Sequence, residues 1–196
     1  MSDRGPSDGG SHAETGAPER YLLDAMLGTL ATYLRMCGYD TAYALDRGFE
    51  DDDAVRALAE SENRTLLTRD QELAAQAADA LLLTERDIED QLRELGAAGV
   101  DLSLPDRPQR CSACNGRVER TDESSGLPST NRDEERSGDV DGVPEHVPDD
   151  VQPYRCRECG QWFWTGSHWD DVRETLAALW ATGFAGCSPH RRPCRP

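Results

Sequence analysis

Two groups of residues in this sequence could do chemistry, and they call for different chemistry. The first is a pair of C-x-x-C motifs, Cys111–Cys114 and Cys156–Cys159. Each motif sets two thiolates on one tight turn. Each is followed within two residues by a glycine, Gly116 or Gly160, as a left-handed knuckle turn requires. Four cysteines complete a tetrahedron around Zn2+ and leave no position open, so such an ion would hold structure rather than react. A redox dithiol pair and an iron–sulfur cluster are the competing readings. The pairs stand farther apart than the roughly 15 to 20 residues of compact ribbons. A polar stretch, about 121–147, accounts for the excess. Of the seven cysteines, Cys37 lies among apolar residues of a helix and reads as inert core. Cys187 and Cys194 read as free tail thiols, with a weaker metal-binding reading if His190 joins them.

The second group is carboxylate. Asp24, Asp46, Asp70 and Asp87 each stand at or just beyond the end of a short apolar run. Asp51, Asp52 and Asp53 open a helix. If the runs are parallel strands, their C-terminal ends share one edge, where sites of open α/β folds form. Carboxylates meeting there repel unless a cation lies among them, and oxygen donors suit Mg2+ or Mn2+. Such clusters serve phosphodiester hydrolysis, where the ion activates water and offsets phosphate charge. The plainer reading is also open. Asp is a common N-cap, and a chain with 38 Asp and Glu places some at strand ends by chance.

The elements that must position these groups follow from periodicity. Apolar runs at Tyr21–Leu23, Thr41–Leu45, Thr65–Thr68 and Ala80–Leu83 alternate with helical patterns: Met26 to Met36, the stretch carrying Val55, Leu58 and Ala59, one starting at Leu73, and one through Ile88, Leu92 and Leu95. This βαβαβαβα order predicts a parallel sheet flanked by helices with right-handed crossovers. The expected organisation is a leader (1–19) reading as disordered, an α/β domain (20–106), a cysteine module with a C-terminal helix from about Asp170 to Thr182 (107–183), and a mobile tail (184–196). No apolar run spans a membrane, and the N-terminus lacks a signal-peptide core. The net charge is −17 and every basic residue is Arg. That balance suits the cytoplasm of a salt-accumulating halophile, where self-repulsion is screened. Total charge therefore says little against a nucleic-acid partner.

The strings LLDAMLGTLATYLRMCGYDT and DDDAVRALAESENRTLLTRDQEL, with the paired cysteines and WFWTGSHW, resemble the Mut-seven C-terminal RNase family. The resemblance spans roughly Arg20 to Ala178 apart from the polar insertion. It implies a PIN-like fold followed by a small zinc ribbon, and metal-dependent cleavage of RNA. It places Asp24 at the family's first acidic position. Asp52 is the better match to the acidic residue before the second helix, with Asp53 one step away. Asp70 ends T-R-D. Arg35 and Arg69 match basic positions that could contact phosphate. His168 matches a position that is either a substrate contact or a structural hydrogen-bonding group. The long insertion, and Thr32-Tyr33 where a basic or larger residue is common, depart from the pattern.

The reading is a PIN-like endoribonuclease. Its catalytic Mg2+ or Mn2+ is held by Asp24, Asp52 and Asp70, and its structural Zn2+ by Cys111, Cys114, Cys156 and Cys159. The alternative is a non-catalytic RNA- or ribosome-associated binding module, docked to a ribosomal or RNA-processing partner. A toxin-like nuclease is a third reading.

Overall fold

The computed structural model describes residues 19–121, 143–144, 147–148 and 150–183, with side chains described as far as residue 179. The expected leader before residue 19, nearly all of the polar insertion, and the tail from residue 184 lie outside the described residues, as do Cys187, His190 and Cys194.

Strands β1 (Arg20–Leu23), β2 (Asp40–Tyr43), β3 (Thr65–Thr68) and β4 (Ala80–Leu82) form one parallel sheet in the order β2-β1-β3-β4. Helices α1 (Gly28–Met36), α2 (Asp52–Glu62) and α3 (Gln71–Gln76) are the crossovers, and α4 (Ile88–Ala97) follows β4. The predicted α/β sheet flanked by helices is therefore present.

Alternation along the central strands explains why both faces are covered. Tyr21, Leu23 and Leu67 point to one face and pack with Leu30, Leu34, Leu92 and Leu95. Leu22 and Leu66 point to the other and pack with Val55, Ala59 and Leu73. All four strand leucines are fully buried. Burial of each stabilises the fold by roughly 1.5–3 kcal/mol.

Two boundaries differ from expectation. Strand β2 stops at Tyr43, because Leu45–Arg47 tighten into a 3-10 turn closed by Gly48 at φ 77°. Leu45, expected inside the strand, is thereby exposed. The second difference concerns α5 (Ser167–Gly183), which the sequence grouped with the cysteine module. Its Trp169, Val172, Leu176 and Leu179 recur at helical spacing and join the core of α1 and α4. The helix thus returns to the α/β domain after the ribbon.

The ribbon itself is an antiparallel sheet of β5 (Val118–Arg120), β6 (Tyr154–Cys156) and β7 (Trp162–Phe163). Among the described residues no helix is long and apolar enough to cross a membrane.

Candidate active rim and cysteine site

Register brings Asp24 to Thr68. Strands β1 and β3 pair Leu23 with Leu67, and the Asp24 N–H continues that ladder onto the Leu67 carbonyl at 3.0 Å. The next side chain on β3 is Thr68, fully buried, whose hydroxyl donates to Asp24 Oδ2 at 2.9 Å. The same Thr68 oxygen accepts from the Asp70 backbone N–H at 3.0 Å. One hydroxyl therefore links the Asp24 carboxylate to the backbone of Asp70. Asp24 is itself buried, and its Oδ1 accepts from the Ala25 N–H. Asp70 caps α3 through Oδ1, which accepts from Glu72 and Leu73 N–H at 2.7 and 2.9 Å. That leaves Oδ2 turned to other use.

The run Asp51–Asp53 divides its labour. Asp51 is the N-cap of α2, accepting from the Ala54 N–H at 3.1 Å. Asp53 turns outward to Arg56 at 2.9 Å. Asp52, exposed in the first turn, feels the rim. Desolvation, and then the negative fields of Asp70 and Asp24, push its carboxyl above the usual carboxylate range. The structure thus sets Asp24, Asp52 and Asp70 along one edge. Their oxygens do not close into a cage: among the described residues, only the cysteines form a group of ligand atoms all within 4.8 Å of one another. Mutual repulsion with spare carboxylate oxygens is nonetheless the condition that a hard cation relieves.

The remaining sequence candidates sort by what they touch. Asp46 pairs with Arg35 at 3.0 Å, and Asp87 caps α4. Arg35, expected to meet phosphate, is instead buried. It donates from Nε to the Thr41 carbonyl at 2.9 Å, and from Nη1 to the Ser112 and Ala113 carbonyls at 3.1 and 2.8 Å. Its guanidinium ties β2 to the first cysteine knuckle, which corrects the expected phosphate contact. Arg69 is half-buried beside Asp70, and its Nε is buried without a hydrogen-bond partner. His168 is exposed in the first turn of α5.

The cysteines close their own site. Sγ atoms of Cys111 and Cys159 lie 3.6 Å apart, and those of Cys114 and Cys156 lie 3.5 Å apart. A tetrahedron with zinc–sulfur bonds of 2.3 Å has edges of about 3.8 Å, whereas a disulfide needs about 2 Å. The geometry therefore suits one ion shared by all four. In the second knuckle Gly160 takes the left-handed conformation, φ 77°. In the first, that conformation falls on Asn115, φ 66°, rather than on Gly116. Gly116 is needed for space, since a Cβ there would lie 2.8 Å from Cys156 Sγ. Cys37 is half-buried with its thiol pushed up to about 12 by desolvation, consistent with an unreactive packing residue.

Sequence reasoning missed how the ribbon is attached. Asn115 accepts from the Thr41 N–H at 3.0 Å and donates to Asp40 Oδ1 at 2.8 Å. Asp40 also receives Arg20, Arg64 and, at 3.7 Å, Arg110. Burial alone would raise its carboxyl, but the Asn115 hydrogen bond and the Arg64 and Arg110 charges hold it well below the usual range. Arg64, almost fully buried, also reaches the Tyr21 and Asp40 carbonyls. Thr68 was missed too, although a hydroxyl two residues before a strand-end aspartate is a visible signal.

The family pattern described as Mut7-C RNAse domain matches residues 19–176, a span that takes in the acidic rim, the ribbon and most of α5. The chain belongs to the Mut7-C RNAse domain family. No curated protein and no solved structure is significantly similar to it. In this Mut7-C chain both the rim and the ribbon fall within the matched span, so the two sites belong to one family unit.

Proposed function

We propose that this Mut7-C chain is a metal-dependent endoribonuclease. The observation that carries the reading is the Thr68 hydroxyl, which joins the Asp24 carboxylate to the Asp70 backbone, with the carboxyl of Asp52 raised by desolvation and then by the charges of Asp70 and Asp24. Asp24, Asp52 and Asp70 would hold Mg2+ or Mn2+, which when bound supplies an activated water and offsets charge on the phosphate. Thr68 orients Asp24, and the α3 cap fixes Asp70. Arg69 stands next to Asp70 in the chain, and its cationic side chain would offset phosphate charge there. Cys111, Cys114, Cys156 and Cys159 would hold Zn2+ as a structural ion. The lysine-free, acidic composition supports a cytoplasm of high salt as its setting.

The open spacing of the three carboxylates favours a second reading, an RNA- or ribosome-associated binding module whose rim no longer reacts. One experiment separates the two. Asp24→Asn and Asp70→Asn should each lower Mn2+-dependent cleavage of a panel of RNAs by about a thousandfold, with circular dichroism unchanged. Variants that cleave as well as the parent would remove the enzyme reading.

A further inference from the structure

The Asp46 and Arg35 pair lies in a cleft that the proposed chemistry leaves unused. A cavity of about 350 Å³ opens between the β2–α2 turn and the first cysteine knuckle, walled by Tyr43, Asp46 and Arg47 on one side and by Ala113, Cys114 and Asn115 on the other. That size is at the small end of ligand sites. It has room for one nucleobase with its sugar.

The cleft adjoins the acidic rim. The Tyr43 hydroxyl donates to the carbonyl of Ala25, the residue after Asp24, at 2.6 Å. Gly28 lets the Tyr43 ring approach closely, since a Cβ there would lie 3.1 Å from it. Aromatic faces held this way are the usual platforms for unpaired RNA bases.

The polar walls restrict what can enter. Arg35 at the floor is already committed to backbone carbonyls and to Asp46, so it has nothing to offer a phosphate. Asp46 lines the cleft; its Oδ2 accepts from Arg35 Nη2 at 3.0 Å, and its half-exposed side chain leaves Oδ1 available to a further donor. A carboxylate there repels phosphate and accepts from N–H donors. Exocyclic amines of adenine, cytosine and guanine meet that demand. Uracil flanks its single N–H with carbonyl oxygens on both sides. Arg47 spends Nη1 on Glu62 at 3.0 Å and remains substantially exposed at the mouth, where a flanking phosphate would pass.

We infer that this cleft is a nucleotide subsite taking one unpaired, amino-bearing base of the RNA next to the cut, stacked on Tyr43 and read by Asp46. The inference rests on the ribonuclease reading for its substrate, but its test does not need cleavage. Zinc-loaded full chain carrying Asp24→Asn is titrated with labelled single-stranded oligo-rA, oligo-rC and oligo-rU of equal length. Oligo-rA and oligo-rC should bind about tenfold tighter than oligo-rU.

Adding Asp46→Asn keeps an acceptor for Arg35 and supplies an amide donor for uracil, so the preference should shrink to about twofold. Arg47→Ala, which leaves Arg35 untouched, should weaken all three oligonucleotides alike and reduce the salt slope by about one. A base preference that survives Asp46→Asn, or no preference in the parent, overturns the subsite. If the Asp24→Asn chain binds with the expected preference while the unsubstituted chain cleaves nothing with Mn2+, the nuclease reading is refuted and the subsite stands.

Discussion

The rim and the ribbon each gather like-charged ligands, and they resolve the problem differently. Four cysteine sulfurs lie within 4.8 Å of one another, from two turns whose backbone geometry is set by Asn115 and Gly160. The three aspartates stand along a sheet edge without closing to that distance, and Asp52 is exposed. A closed shell gives stability and no reactivity, whereas an open set of oxygens leaves room for water and a phosphate. On the proposed assignments, the contrast would separate an ion that holds structure from one that takes part in the reaction.

The most severe way to break the comparison is at the closed site. Cys111→Ser removes a fully buried ligand, and structural zinc contributes about 10 kcal/mol or more in isolated modules. The ribbon should lose its order and the purified protein its zinc, which metal analysis and near-UV circular dichroism would register. The attachment between the two regions comes next. Asp40→Asn strips one carboxylate from Arg64, which is almost fully buried but keeps Glu62 at 2.6 Å, and should cost about 1–2 kcal/mol in denaturant unfolding.

Its pH dependence has a definite sign. The Asp40 carboxyl is lower in the folded chain than in the unfolded one, so its stabilisation is complete above about pH 4. That stabilisation is lost as the pH falls through the folded value, and Asp40→Asn should flatten this acid limb. At the open site, Thr68→Val keeps the side-chain shape but frees Asp24, and should reduce kcat about tenfold with the fold intact. Smallest of all, Asp53→Asn breaks an exposed pair with Arg56 and should leave the denaturant midpoint and cleavage unchanged. A large activity loss there would move the second carboxylate position from Asp52 to Asp53.

Local signals were enough for much of this. Apolar runs ending in aspartate mark β1 and β3 because burial on both faces demands continuous Leu, and chain order then places their ends together. The C-x-x-C pairs were legible because knuckle chemistry is confined to a few residues. Other features are set by meetings between distant segments. Asp40, Arg64 and Asn115 look like ordinary polar residues until the fold brings them within hydrogen-bond reach. Arg35 has the character of a phosphate ligand in sequence, yet the backbone carbonyls that claim it come from the ribbon. The return of α5 is similarly hidden. Its apolar stripe announces burial but not the partner, and chain proximity wrongly suggested the ribbon.

Strand β2 is an outer strand of the parallel sheet, and at Thr41 both of its main-chain groups are covered by side chains: the N–H by Asn115, the carbonyl by Arg35. Asn115 takes its left-handed conformation in the first cysteine knuckle, directly after Cys114. Chelation would therefore uncover a pairing edge as well as loosen a small module, and uncovered edges recruit strands from other molecules. With zinc as the proposed occupant, protein stripped of zinc should form more oligomers or aggregates than zinc-loaded protein, which light scattering would register.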